Sequence, residues 1–157
     1  MALITPLQFY EIARRSKEIT DKYNVPLIIN DRLDICLAVQ AAGLHVGQSD
    51  LPSRIARDLL PPGSILGLSV GNVREAQKAV DDGLVDYVGI GAVWQTTSKD
   101  VSGKIMLGPA GVGEILDVLA QSPNRSIKSV AIGESNPVSH ACLQRLADHA
   151  AGGVHTR

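Results

Sequence analysis

An α/β fold built from repeated strand–helix units is what three observations on this chain predict. Five short runs are apolar almost from end to end: PLIIN at 26–30, GLHVG at 43–47, SILGLS at 64–69, DYVGIG at 86–91 and KSVAIG at 128–133. Such continuity suits strands covered on both faces, as in a parallel sheet, better than the alternation of a half-solvated one. The stretches between them carry helical periodicity with legible ends. The first four runs also begin about twenty residues apart, and the fifth at about twice that spacing. A strand, a helix and two short loops need about that much chain. Right-handed crossovers curl such units into either an open doubly wound sheet or a (β/α)8 barrel.

The elements follow in order. Thr5 caps the first helix, with Pro6 at its first position and Gln8 completing a capping box. Phe9, Ile12, Ala13, Ser16, Ile19 and Tyr23 then fall along one helical face. After the first apolar run, Asp34 starts a short helix that Gly43 closes. After the third run, Asn72 and Glu75 repeat the capping logic and Gly83 supplies a left-handed stop. Pro109 opens a helix carrying Val112, Ile115, Leu116 and Leu119. Asn136 and Pro137 open a last one with Val138, Cys142, Leu143, Leu146 and Ala150.

Composition narrows the function classes. A chain of 157 residues buries one core of ordinary size, so residues 1–157 read as a single domain. The formal net charge is −1, with acids and bases interspersed, which supports neither a nucleic-acid footprint nor a polybasic membrane patch. Aromatics are only 3%, too few for a base-stacking platform. Cys36 and Cys142 lie in separate apolar stretches and read as reduced core thiols. The opening MALITPLQFYEIARR lacks the pattern of a signal peptide, and no run approaches a membrane span of roughly 18 apolar residues. The expectation is a soluble, cytoplasmic chain with neither nucleic-acid nor membrane partners.

In both architectures ligands bind at the carboxyl ends of the strands. Read in order, those ends give Asn30-Asp31-Arg32, then Gln48-Ser49-Asp50, then Ser69, then the loop Thr96-Thr97-Ser98-Lys99, then Gly133. Asp31 and Asp50 would project from neighbouring strands. Hard oxygen donors without a histidine or cysteine cluster favour Mg2+, which takes one or two carboxylates and leaves other positions to water and substrate phosphates. Thr96 and Ser98 can donate to phosphate oxygens while Lys99 supplies a point charge. Plainer roles stay open beside these. Asp31 and Asp34 lie near a helix start and could be caps, Asp50 could cap the helix after Leu51-Pro52, and Ser69 and Asn72 bracket another helix start. His45 reads as a core residue. Gly89-x-Gly91 lacks the third glycine of a dinucleotide fingerprint, because Trp94 stands there.

At these residues the chain resembles the thiamine phosphate synthase family. The matching stretches are PLIINDRLDICLAVQAAGLHVGQSDLP, ILGLSV, and DYVGIGAVWQTTSKD followed by LGPAGV, and the likeness covers roughly residues 5–133. The GAVW loop and the LGPAG continuation look nearest to the synthase half of the fungal bifunctional enzyme. The resemblance implies an incomplete (β/α)8 TIM barrel, about strands 3 to 7 with their helices. It also implies a transferase joining hydroxymethylpyrimidine pyrophosphate to hydroxyethylthiazole phosphate, with release of pyrophosphate. Asp31 and Asp50 would hold the Mg2+ and Asn30 would contact the leaving pyrophosphate. Ser69 would touch the pyrimidine or pyrophosphate side, Thr96, Ser98 and Lys99 both anionic groups, and Gly133 the thiazole phosphate. Catalysis would fall chiefly to Lys99 and Ser69.

The departures set further expectations. The chain reads as starting after the family's second strand, whose Gln-x-Arg-x-Lys cations meet the pyrophosphate, and as stopping before the eighth. Residues 134–157 leave the family pattern, with Glu134 where a second glycine is usual, and Gln95 and Ser98 are milder changes. A chain so truncated would have impaired activity unless a homo-oligomer or a complementing chain completed it. The alternatives are a non-catalytic remnant that binds phosphorylated ligands and a protein resembling thiazole tautomerase. Retention of both carboxylates and of the Lys99 loop speaks against the tautomerase.

Overall fold

The computed structural model describes residues 4–94, 106–122 and 127–132. Helices and strands alternate along them: α1 Pro6–Lys22, β1 Ile28–Asn30, α2 Leu33–Ala38, β2 Gly43–Val46, α3 Ser53–Leu59, β3 Ile65–Val70, α4 Val73–Asp82, β4 Tyr87–Ile90, α5 Gly108–Ala120 and β5 Lys128–Ala131. Strand order in the sheet follows chain order, β1-β2-β3-β4-β5. This is the α/β arrangement of five parallel strands alternating with helices that the apolar runs predict. The expected last helix, with Cys142, lies outside the described residues.

The chain divides into two compact units within β3: residues 1–68 with 84–86, and residues 69–83 with 87–157. In the first, β1 pairs in parallel with β2 through Ile28↔Gly43, Ile29↔Leu44 and Asn30↔His45, and β2 pairs in parallel with β3. Ile29, Leu44, Val46 and Leu66 are buried from the strands, with Ala13, Ile35, Cys36 and Ala56 from the helices. Gly43 sits where β2 presses on its neighbour; a Cβ there would lie 2.2 Å from the Ile65 carbonyl oxygen. Sequence reasoning made Gly43 the stop of α2, and the structure overturns that. The helix ends at Ala38 with Val39 as its cap, and Gln40 takes the positive φ of 52°. Gly43 is needed for close packing rather than for a turn.

A polar clamp closes the same unit. Arg57 on α3 donates to the carbonyls of Leu84 (3.0 Å) and Ser64 (2.8 Å) and to Asp86 Oδ2 (2.7 Å). The same Asp86 oxygen accepts from the Leu66 amide at 2.8 Å. One side chain thus satisfies backbone groups at the entry to β3 and just before β4 that would otherwise be stranded on partial burial.

The capping expectations for α1 hold. Gln8 N donates to Thr5 Oγ1 at 3.2 Å and Thr5 N donates to Gln8 Oε1 at 2.8 Å. Its apolar face divides, however. Ala13 is buried, whereas Ile12, Ile19 and Tyr23 are 55, 57 and 74% exposed.

In the second unit β4 pairs in parallel with β5, and α4 packs on α5. Val70, Ala76, Ala79, Val88, Ile90, Val112 and Ile115 are among its buried apolar residues. Asn72 Oδ1 accepts from Glu75 N at 3.0 Å and Gly83 closes α4 at φ 61°, as their residue types predict. No described helix is long and apolar enough to cross a membrane.

Candidate functional site

The site is best defined in the first unit, where β1 and β2 end side by side. Asn30, the last residue of β1, lies opposite His45. The chain then turns sharply at Asp31. Its amide donates to the His45 carbonyl at 2.8 Å, which carries the β1–β2 ladder one step further. The next amide, Arg32 N, donates back to the Asn30 carbonyl at 2.8 Å, and Asp31 has φ 63°. Three residues closed by such a bond form a γ-turn, and positive φ at its centre marks the rarer, strained hand. A residue with a Cβ pays about 1–2 kcal/mol for positive φ. Asp31 is therefore no helix cap. That role falls to the Arg32 backbone, whose carbonyl accepts from Cys36 N at 3.0 Å.

Asp31 Oδ1 is buried, so the turn carries its carboxylate inward. The Arg32 side chain turns outward. Its guanidinium grips Asp34 through Nε to Oδ1 (2.8 Å) and Nη2 to Oδ2 (2.5 Å), and its centre lies 6.0 Å from the Phe9 ring centroid on α1. The hydrogen bonds from Arg32 hold the Asp34 carboxyl below its ordinary range, and Asp34 in turn raises Arg32.

Asp50 reaches the end of β2 by a different route. Its Oδ2 accepts from the Gly47 amide at 2.7 Å, and its own amide donates to the Gly47 carbonyl at 3.4 Å. The loop 47–50 is thereby closed on itself, with the carboxylate at the carboxyl end of β2. A Cβ on Gly47 would stand 2.9 Å from that oxygen, so the glycine makes room for the acid. Asp50 does not cap α3, which begins after Pro52 without a side-chain cap.

The two carboxylates anticipated from sequence therefore belong to the ends of neighbouring, directly paired strands. Among the described residues there is no group of three or more histidine, cysteine, aspartate or glutamate side chains able to hold a metal. Two oxygen-donor acids are the protein share that Mg2+ ordinarily takes, and this donor set fits Mg2+ rather than zinc. In the second unit Ser69 lies near the end of β3, one residue before Val70. There Gly71 N donates to Glu75 Oε2 at 2.7 Å, so Glu75 closes the turn into α4. Thr96, Ser98, Lys99 and Gly133, along with Glu134, lie outside the described residues.

The sequence profile of the family described as thiamine monophosphate synthase matches residues 4–155. The chain belongs to that family. Among relatives named thiamine-phosphate synthase, a transferase, the protein of Clostridium novyi is 48% identical over 134 residues, covering 85% of this chain and 61% of its own length. That of Methanobrevibacter smithii is 55% identical over 94 residues, covering 60% of this chain and 44% of its own length. The solved thiamine phosphate pyrophosphorylase of Pyrococcus furiosus superposes with a TM-score of 0.74 at 28% identity, over 92% of this chain and 65% of that one. The chain thus spans about three-fifths of the Clostridium synthase and two-thirds of the Pyrococcus structure. Against the thiamine monophosphate synthase family, the fold is the expected one: parallel βα units on the pattern of a barrel synthase over most of the chain.

Sequence reasoning missed two things here. One is Arg32, quoted within the N-D-R motif but given no task. The other is Gly47, whose close approach to Asp50 is signalled only by the three-residue spacing of Gly47 and Asp50.

Proposed function

We propose that this chain serves thiamine phosphate synthesis, joining hydroxymethylpyrimidine pyrophosphate to hydroxyethylthiazole phosphate. The family membership supports the reaction class. The observation that carries the site assignment is the placement of Asp31 and Asp50 at the carboxyl ends of the paired strands β1 and β2. In this reading both aspartates hold Mg2+, which supplies charge neutralisation for the departing diphosphate. Asn30 orients that diphosphate by hydrogen bonding. Ser69 positions the pyrimidine or pyrophosphate side. Thr96 and Ser98 donate to phosphate oxygens, Lys99 balances their charge, and Gly133 lines the thiazole phosphate.

The bond that breaks joins the pyrimidine methylene to the pyrophosphate oxygen, and its electron pair leaves with the pyrophosphate. The thiazole nitrogen then donates the pair that forms the new carbon–nitrogen bond. No side chain need act as a nucleophile, so the protein contributes placement and preorganised charge.

The 1–157 chain is read as one synthase-like domain in the cytoplasm. The narrower likeness to fungal bifunctional enzymes rests on the GAVW and LGPAG stretches.

Calorimetry with hydroxyethylthiazole phosphate and inorganic pyrophosphate, with and without Mg2+, tests the reading. Mg2+-dependent binding that Asp31→Ala and Asp50→Ala each abolish is expected. Binding indifferent to the metal and to both substitutions would instead favour a non-catalytic phosphate-binding protein.

A further inference from the structure

We propose that Arg32 is a positioning residue that holds the strained turn at Asp31, and with it the inward direction of the Asp31 carboxylate. This rests on the reading of Asp31 as a divalent-cation ligand.

The Asp31 turn is costly locally and is closed by two backbone bonds, Asp31 N to the His45 carbonyl and Arg32 N to the Asn30 carbonyl, both 2.8 Å. A positive φ at a residue with a Cβ persists only where the surroundings over-determine it. One further restraint acts on the following residue. Arg32 is tied to α2 through the planar two-bond fork on Asp34, and to α1 through its position over Phe9. Its carbonyl is tied to Cys36 N. The guanidinium thus fixes a residue whose amide is itself one arm of the γ-turn. Lysine could supply the charge but not the fork. The arrangement explains why a cation one residue from Asp31 is directed to Asp34, with two of its five N–H donors on that carboxylate.

The inference makes strain and clamp interdependent. With the clamp intact, Asp31→Gly relieves the positive φ and raises Tm by about 2–4 °C, the shift expected for about 1 kcal/mol in a chain of this size. With the clamp removed by Arg32→Ala, the turn has already relaxed, and Asp31→Gly adds nothing. Equal gains in both backgrounds would show an ordinary surface ion pair and overturn the proposal.

The second measurement is Mn2+ binding to the 157-residue chain by water-proton relaxation, with and without inorganic pyrophosphate. Arg32→Ala lowers Mn2+ affinity by about 10–100-fold, the usual effect of losing a group that orients a ligand. Asp34→Asn, which leaves Arg32 in place and perturbs the chain less, gives a smaller loss of the same sign and covers the case in which Arg32→Ala does not fold. Asp31→Ala without affinity, alongside Arg32→Ala and Asp34→Asn within twofold of the parent chain, would overturn the positioning role while leaving the site assignment standing. Unchanged affinity in Asp31→Ala, or no Mn2+ uptake by the parent chain under either condition, would overturn the site assignment and the proposal with it.

Discussion

Two consecutive strands of the first unit are each followed by an aspartate, Asp31 after β1 and Asp50 in the loop after β2, and the two turns are built on opposite plans. After β1, Asp31 occupies a strained γ-turn that is steadied from outside by Arg32, Asp34 and Phe9. After β2, Asp50 steadies its own loop from within, through two bonds to Gly47. The first plan puts the burden of holding the turn on neighbours. The second uses half of the carboxylate as structure and requires a glycine to make space. Acids that look alike in a sequence are thus held by different physics, and they respond differently to substitution.

The contrast is broken most strongly at Gly47. A Cβ there would meet Asp50 Oδ2 at 2.9 Å and displace the acceptor of a 2.7 Å bond. Gly47→Ala is expected to destabilise the chain by about 1–2 kcal/mol through loss of that bond, read as a fall in the urea midpoint at unchanged slope. Asp50→Ala removes the same bond without the clash and should cost about 1–2 kcal/mol, again by urea unfolding. An Asp50→Ala chain as stable as the parent would mean that the loop does not depend on its carboxylate.

Asp31 should answer with the opposite sign. Asp31→Gly frees the turn of its positive-φ penalty and should stabilise by about 0.5–1 kcal/mol after the flexibility of glycine is charged against it. Paired with loss of Mn2+ binding, that gain would mark a residue kept for what it holds rather than for the fold. A destabilised Asp31→Gly chain would remove the asymmetry between the two turns.

The smallest expected effect is a pH dependence. Asp34 has its folded pKa lowered by Arg32, so the pair's contribution is complete above the ordinary carboxylate value of about 3.9 and lost as pH falls through the lower folded value. The stability gap between the parent chain and Asp34→Asn should therefore be present at neutral pH and close only in acid. The pair is solvent-exposed, with side chains 37 and 62% accessible, so the gap is small and salt-sensitive. A gap that widened on acidification would contradict the sign.

Much of the architecture was legible before any coordinates. The five apolar runs became five strands, and Thr5, Asn72 and Gly83 cap helices as their chemistry dictates. These are local signals, set by side-chain period and by which backbone groups a neighbour can reach. Gly43 was misread because its signal is shared: a glycine after a short helix and a glycine crushed against the next strand look identical along the chain. The apolar face of α1 was legible as a pattern but not as a burial, since Ile12, Ile19 and Tyr23 obey the period and remain exposed.

The kinds of residue at each strand end, and hence the chemistry open to them, were written in the chain itself: two acids, hydroxyls and a lysine spaced by βα units. Only the folded molecule decided that Asp31 sits in a positive-φ γ-turn, that Arg32 faces Asp34 and Phe9, and that Asp50 spends an oxygen on Gly47. The division has a physical cause. Capping and periodicity act over a few residues and are encoded where they act. The direction of a carboxylate depends on bonds to His45 or Gly47 and on the packing of Arg32 over Phe9, and such partners are chosen by strand register and helix packing, which no local spacing specifies.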